Sequence, residues 1–236
     1  ITVVASDGGG RNTTAEVNIT VIDENDNSPS FSPTFYNLSY PENLKTGFIL
    51  VNVTATDKDS GKFAKLQYDI RNGNLEGLFI IDHKTGAISL GKSLDRETKD
   101  FHSLVISAQD GGGRVSTNSA TVNLTVKDIN DNPPVFGQQV YNFSIVENAQ
   151  ARSIIGSVHA TSKDIGSNAE IFYSIIGGNI GNIFAINKSG IIYSKTHVDH
   201  EATPSFVLSV KARDGGNPPL YGHVNVTVSV IDLNDN

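Results

Sequence analysis

Carboxylates and asparagines recur along this chain in short patterned groups, and their chemistry is that of a site for a hard cation. D-x-N-D-N occurs at residues 23–27, 128–132 and 232–236, and D-x-E occurs as Asp95 with Glu97 and as Asp199 with Glu201. A single acid precedes asparagine at Glu42 and Glu147, Asp57 and Asp59 form D-x-D, and Asp110 and Asp214 each open D-G-G. Such carboxylates repel one another unless a cation sits among them. Oxygen donors with no cysteine in the chain and no histidine in the repeated pattern select Ca²⁺ over zinc or copper. Any one of these acids, taken alone, reads as solvated surface. The set does not, because it keeps a fixed step. Asp23 to Asp128 is 105 residues and Asp128 to Asp232 is 104. An EF-hand is excluded at the D-x-D, because Lys62 stands where that loop requires glycine.

The elements that must position these acids repeat with the same step. Tyr40–Asn43 answers Ile145–Asn148, Leu94–Glu97 answers Val198–Glu201, and Ala55–Gly61 answers Ala160–Gly166. SAQDGG at 107–112 answers KARDGG at 211–216 and VASDGG at 4–9. A period this long is a whole domain with its own core, not a solenoid turn. Residues 49–56, 104–109 and 121–128 alternate apolar with polar, which is the β period. Gly86 and Gly190 close tight hairpin turns. About seven short strands per roughly 100 residues predict an all-β sandwich, with the acids on loops and strand ends. The first 27 residues hold two strands, as the last third of such a repeat would.

PEN, D-x-D, LDRE, A-x-D-G-G and D-x-N-D-N-x-P, in this order and spacing, resemble the extracellular cadherin repeat. The resemblance covers the whole chain: residues 1–27 as the C-terminal part of one repeat, 28–132 as a complete repeat and 133–236 as another. It implies tandem seven-stranded Greek-key sandwiches of immunoglobulin-like architecture, joined by linkers that each bind three Ca²⁺ ions. At the complete junction it implies ligation by Glu42, Asp95 and Glu97, by Asp128, Asn130 and Asp131, and by backbone oxygens of Ile129 and Asn132. Asp164, Asp214 and the backbone oxygen of Asn168 complete that set. The preceding junction keeps Asp23, Asn25, Asp26, Asn27, Asp57, Asp59 and Asp110. A following one would use Glu147, Asp199, Glu201, Asp232, Asn234 and Asp235. Ser162 departs from the pattern: it stands where Asp57 stands one repeat earlier, and brings a hydroxyl in place of a charge.

Composition removes other classes. A net charge of −7 argues against a nucleic-acid partner. No run approaches the roughly 20 apolar residues of a membrane span, so contact with a membrane is expected only through an anchor outside this segment. Eight N-x-[ST] acceptors, at Asn12, Asn18, Asn37, Asn52, Asn123, Asn142, Asn187 and Asn225, are about twice the chance expectation and point outside the cell. None of the six histidines lies in a metalloprotease motif, and no nucleophile elbow or phosphate loop occurs, so no catalytic residue is expected. His200 adjoins Glu201, but Arg96 holds its place one repeat earlier, so it reads as a linker residue. The resemblance implies calcium-dependent cell–cell adhesion, at the extracellular side of the plasma membrane. The expected partners are cadherin repeats of the same or a related protein, in trans or cis. The absence of Trp and Cys is closer to the long protocadherin, Fat and Dachsous-type arrays than to strand-swapping cadherins. A calcium-stiffened spacer of a matrix or adhesin protein would use the same repeat without cell–cell recognition.

Overall fold

The computed structural model describes residues 1–233. Two compact units emerge from its contacts. The first takes in Ile1–Ser39, Leu44–Ser93 and Phe101–Thr125; the second takes in Tyr40–Asn43, Leu94–Asp100 and the chain from Val126 on. The loops that carry Glu42, Asp95 and Glu97 therefore cluster with Asp128 and the later strands.

The chain opens with a hairpin, β1 (Thr2–Ser6) and β2 (Asn12–Glu16). Nine strands follow: β3 (Ser30–Phe31), β4 (Phe35–Pro41), β5 (Ile49–Asn52), β6 (Ala55–Thr56), β7 (Gln67–Asn72), β8 (Phe79–Ile81), β9 (Ala87–Leu90), β10 (Phe101–Gln109) and β11 (Ala120–Lys127). The same succession returns as β12 (Val135–Phe136), β13 (Val140–Val146), β14 (Ile154–Ser157), β15 (Ala160–Thr161), β16 (Phe172–Gly177), β17 (Phe184–Ile186), β18 (Ile191–Ser194), β19 (Ser205–Arg213) and β20 (Tyr221–Ile231). The only helical pieces among the described residues are 3₁₀ turns at Gly166–Ala169 and Ile180–Asn182. No helix is long and apolar enough to cross a membrane.

The earlier set forms a four-stranded sheet, β4-β11-β10-β7, a three-stranded sheet, β5-β9-β8, and the short pair β3-β6. The later set repeats this as β13-β20-β19-β16, β14-β18-β17 and β12-β15. Four plus three is the seven-stranded sandwich expected, and the non-consecutive neighbours are its Greek-key crossovers. β13 runs parallel to the last strand, β20. Alternation decides which side chains face inward: Phe184 and Ile192 meet Leu208, Val226 and Val228 in one buried cluster. Each such side chain contributes roughly 1.5–3 kcal/mol by leaving water. The run at 49–56 divides into β5, which pairs with β9, and β6, which pairs with β3 in a separate sheet.

The two strands expected in residues 1–27 are β1 and β2. β2 stops at Glu16, and Val17, Ile19 and Val21 lie exposed, at 42%, 66% and 91%. One repeat later Val122, Leu124 and Val126 alternate in the same way and are buried. Strand propensity without a partner surface does not make a strand.

Two local devices aim the acidic loops. The hydroxyl of Tyr68 accepts a hydrogen bond from Ala55 N at 3.1 Å, and that of Tyr173 accepts one from Ala160 N at 2.8 Å. Each pins the segment that runs straight into D-x-D or its S-x-D counterpart. The predicted turn glycines adopt positive φ, +71° at Gly86 and +75° at Gly190. A Cβ on Gly190 would lie 2.1 Å from the carbonyl oxygen of Val158. Gly166 has φ +57° but open space around it. Gly190→Ala should therefore destabilise the second unit by about 2–4 kcal/mol, from strain and clash together, against about 1 kcal/mol for Gly166→Ala. Chemical denaturation of the two variants measures the difference, and equal losses would contradict it.

Candidate metal centre

Glu42 follows β4 and is 4% exposed, and each of its carboxylate oxygens accepts one backbone hydrogen bond. Oε2 accepts from the backbone N of Arg96 at 2.8 Å, and Oε1 accepts from Ile129 N at 3.2 Å. One glutamate thus ties the D-x-E loop to the D-x-N-D-N segment, and this explains the lone acid in the sequence pattern. Glu147 repeats the device, accepting from His200 N at 3.1 Å and from Leu233 N. Burial raises the Glu42 pKa, and the backbone donors do not fully offset it. For Glu147 those two donors outweigh burial and lower it.

Around these latches, ligand oxygens converge. Glu42, Asp95 and Glu97 bring carboxylate oxygens within 4.8 Å of one another, and so do Glu97, Asp128 and Asp164. Glu97 belongs to both groups. Asp131 has its pKa raised by burial and by the neighbouring Glu97, Asp164, Asp128 and Asp95. In the first unit Asp57, Asp59 and Asp110 form a third group; at the far end of the second unit Glu147, Asp199 and Glu201 form a fourth. His200, Glu201 and Asp232 also gather within that distance. Asn234 and Asp235 lie outside the described residues.

The D-G-G turns place their aspartates by backbone hydrogen bonds. Asp110 Oδ1 accepts from Gly112 N at 2.8 Å and Arg114 N at 2.9 Å; Asp7 does the same with Gly9 and Arg11. Burial pushes Asp110 up, but these donors and the Asn25 amide outweigh it and hold its pKa low. The second glycine of each turn makes room for the linker asparagine. A Cβ on Gly112 would meet Asn25 Nδ2 at 2.0 Å, and one on Gly216 would meet Asn130 Nδ2 at 2.1 Å. Asp23 Oδ2 accepts from Ser60 N at 2.9 Å, and Asp128 Oδ2 accepts from Ile165 N at 3.3 Å and Asn168 Nδ2 at 2.9 Å. Asp26 accepts from the Asn27 amide at 2.7 Å, and Asp59 from Asn27 N at 3.1 Å.

The oxygens these bonds leave over are more telling. Among the described residues, five buried side-chain oxygens have no hydrogen-bond partner: Asn25 Oδ1, Asp57 Oδ2, Asp110 Oδ2, Asp128 Oδ1 and Asn130 Oδ1. All five belong to the residues whose pattern predicted ligation. A buried acceptor without a partner costs about 1–3 kcal/mol, and more when charged. Acceptors from the D-x-N-D-N, D-x-D and D-G-G segments would not be left at such a cost unless something else satisfied them. All-oxygen donors, mostly anionic, fit Ca²⁺.

Some expected ligands are otherwise engaged. Asp214 is fully buried, accepts from Gly216 N at 3.0 Å and Leu220 N at 3.0 Å, and joins none of the carboxylate groups. Its turn, D-G-G-N-P-P-L, is two residues longer than D-G-G-G-R at Asp110. Asn130 Nδ2 accordingly donates to Pro218 O at 2.8 Å, whereas Asn25 Nδ2 bonds Asp110 at 3.3 Å. Ser162 fills the role of Asp57 toward the backbone: its Oγ accepts from Asp164 N at 3.1 Å, as Asp57 accepts from Asp59 N at 2.9 Å. Its own proton goes to the carbonyl of Asn132 at 2.9 Å, one of the backbone oxygens expected to ligate. The Ile129 carbonyl accepts from Asp131 N at 3.1 Å. The sequence reading missed Arg96, whose side chain enters the group of Glu97, Asp128 and Asp164; its replacement by His200 one repeat later was the available signal.

The family model for the cadherin domain matches residues 36–127 and 141–231, together well over half of the chain. Human Protocadherin Fat 1 is 41% identical over 236 residues, covering 99% of this chain and 5% of its own length. Human Protocadherin-1 is 38% identical, with 100% of this chain and 22% of its own length covered. The chain thus spans a small part of the curated relatives it matches. Among solved structures, mouse cadherin-23 EC22-24 superimposes with a TM-score of 0.84 at 37% identity, over 98% of this chain and 74% of that one. Protocadherin gammaB7 EC3-6, solved as a cis-dimer, gives 0.83 at 33% identity, over 99% and 58%. With the sandwich topology, the acidic loops and these matches in agreement, the chain belongs to the cadherin family, and its sequence is of the protocadherin and Fat type.

Proposed function

We propose that this segment is a calcium-stiffened stretch of a cell-surface adhesion receptor, made of the end of one repeat (1–27) and two complete ones (28–132 and 133–236). The observation that carries the reading is the set of five buried oxygens without hydrogen-bond partners on Asn25, Asp57, Asp110, Asp128 and Asn130. In the complete set, Glu42, Asp95, Glu97, Asp128, Asn130, Asp131 and Asp164 would hold the metal, with Glu97 shared between two ion positions. Calcium supplies the positive charge that lets these carboxylates pack. The chain's own part is to present them from loops of successive repeats, so that the linker stiffens only when they are neutralised. Extracellular modules bind calcium at about 10⁻⁴–10⁻³ M, so such sites fill outside the cell and empty inside. All eight glycan acceptors stand exposed or half-exposed, as an extracellular surface requires. The expected partners are repeats of the same or a related cadherin, in trans or in cis, with a membrane anchor outside this segment. The cis-dimer of protocadherin gammaB7 supports the cis arm.

Small-angle scattering with and without chelator tests the stiffening. Chelation should lower the maximum dimension or broaden its distribution, and should open residues 128–132 to protease while both sandwiches stay folded. An unchanged profile and unchanged cleavage would rule the clamp out. The ligand assignment makes a second prediction. Glu97→Gln should weaken calcium binding by about tenfold or more, as expected for one ligand charge lost at a shared position. Asp214→Asn should cost less affinity than Glu97→Gln, because Asp214 joins none of the carboxylate groups of which Glu97 belongs to two. Calorimetric titration separates the two, and equal losses in affinity would contradict the assignment. Ser162→Asp should tighten one calcium step and leave the others nearly unchanged, since it restores a ligand charge and frees the Asn132 carbonyl. A titration indistinguishable from that of the parent would remove Ser162 from the site.

A further inference from the structure

Arg96 lies inside the group of carboxylates formed by Glu97, Asp128 and Asp164, all within the second compact unit. Its Nε is 2.5 Å from Asp128 Oδ1, one of the oxygens without a hydrogen-bond partner, in an ion pair that lacks hydrogen-bond alignment. Its Nη2 pairs with Glu97 Oε1 and donates to the carbonyl of Lys163 at 2.7 Å. The side chain is only 10% exposed, unlike an ordinary surface ion pair that solvent screens to little consequence. Its backbone is fixed as well, since Arg96 N donates to Glu42.

We infer that Arg96 is a tethered cation that braces this carboxylate group when calcium is absent and that calcium must displace. The inference rests on the calcium reading proposed above. Calcium needs carboxylate oxygens at about 2.3–2.6 Å. Arg96 already touches Asp128 Oδ1 and Glu97 Oε1, so an ion that uses those two oxygens cannot coexist with the guanidinium in its present place. Binding is then an exchange, one charge leaving as two arrive. Because the competitor is carried on the same chain, dilution does not remove it. Its planar fork suits two carboxylates and a carbonyl at once, which lysine's point charge does not. The brace acts in opposite directions on two properties: the metal-free junction is steadier than six bare carboxylates would allow, and its calcium affinity is lower than the ligand set alone would give. The second repeat lacks this brace. His200 holds the equivalent place, with its ring Nδ1 3.6 Å from Glu201 and the side chain one-third exposed.

The test uses the full 236-residue chain, as the parent and as Arg96→Gln and Arg96→Lys. Thermal unfolding in excess chelator reads the brace; calorimetric titration with calcium chloride reads the competition. Arg96→Gln should melt a few degrees lower than the parent in chelator and bind calcium at one step about tenfold more tightly, as loss of one charge-assisted contact predicts. Arg96→Lys should fall between the two on both measures. A chelator melt of Arg96→Gln equal to the parent's, or of Arg96→Lys equal to that of Arg96→Gln, would overturn the brace. Calcium affinity of Arg96→Gln equal to or weaker than the parent's would overturn the displacement. A parent that takes up no calcium would refute the calcium reading and the displacement with it, while the chelator melts would still decide whether Arg96 braces the group.

Discussion

Repulsion among carboxylates held close together in partly buried loops is the constraint on which the functional part of this molecule turns. Two negative charges a few ångströms apart at the protein surface repel by several kcal/mol at an effective dielectric of about 20, and here they are assembled several at a time. The chain meets that repulsion by three means. Backbone N–H groups point at Glu42, Glu147, Asp110 and Asp214. Asparagine amides donate to further carboxylate oxygens. Arg96 brings a positive charge into one group. The oxygens left without a hydrogen bond, Asp128 Oδ1 beside Arg96 among them, are those open to a cation, and that remainder defines the site.

Each group is therefore tuned by small departures between copies of one repeat. Asp110 keeps a buried oxygen open, while Asp214, in a turn two residues longer, has its oxygens taken by the backbone. Asp57 keeps one open too, while Ser162 in its place spends its proton on a carbonyl. Arg96 gives way to His200. None of these changes touches the sandwich core, where both copies bury the same alternating positions. Scaffold and site vary independently because the core answers to apolar area, and the loops answer to charge and hydrogen-bond direction.

The opening hairpin shows the same separation from the other side. Val17, Ile19 and Val21 carry the pattern that builds β11, yet remain exposed. The D-G-G turn after β1 nonetheless forms with its full set of hydrogen bonds around Asp7. Turn chemistry is local and needs only neighbours in sequence; strand burial is collective.

Much was legible in the order of residues alone. Alternation announced the strands, a step of 104–105 residues announced the repeat, and D-x-N-D-N with D-x-E and D-G-G announced oxygen ligands for a hard cation. These are properties of spacing, and spacing survives in one dimension. The turn glycines at 86 and 190 were legible for the same reason, since a hairpin needs only neighbours in sequence. What the tertiary structure decided was how each ligand oxygen is spent. That Asn130 Oδ1 is free while its amide is bound to Pro218, that Asp214 is engaged by Leu220, and that Arg96 reaches Asp128 all depend on residues brought together from distant segments. Hydrogen-bond satisfaction is a property of the surroundings in three dimensions, and no spacing rule encodes it.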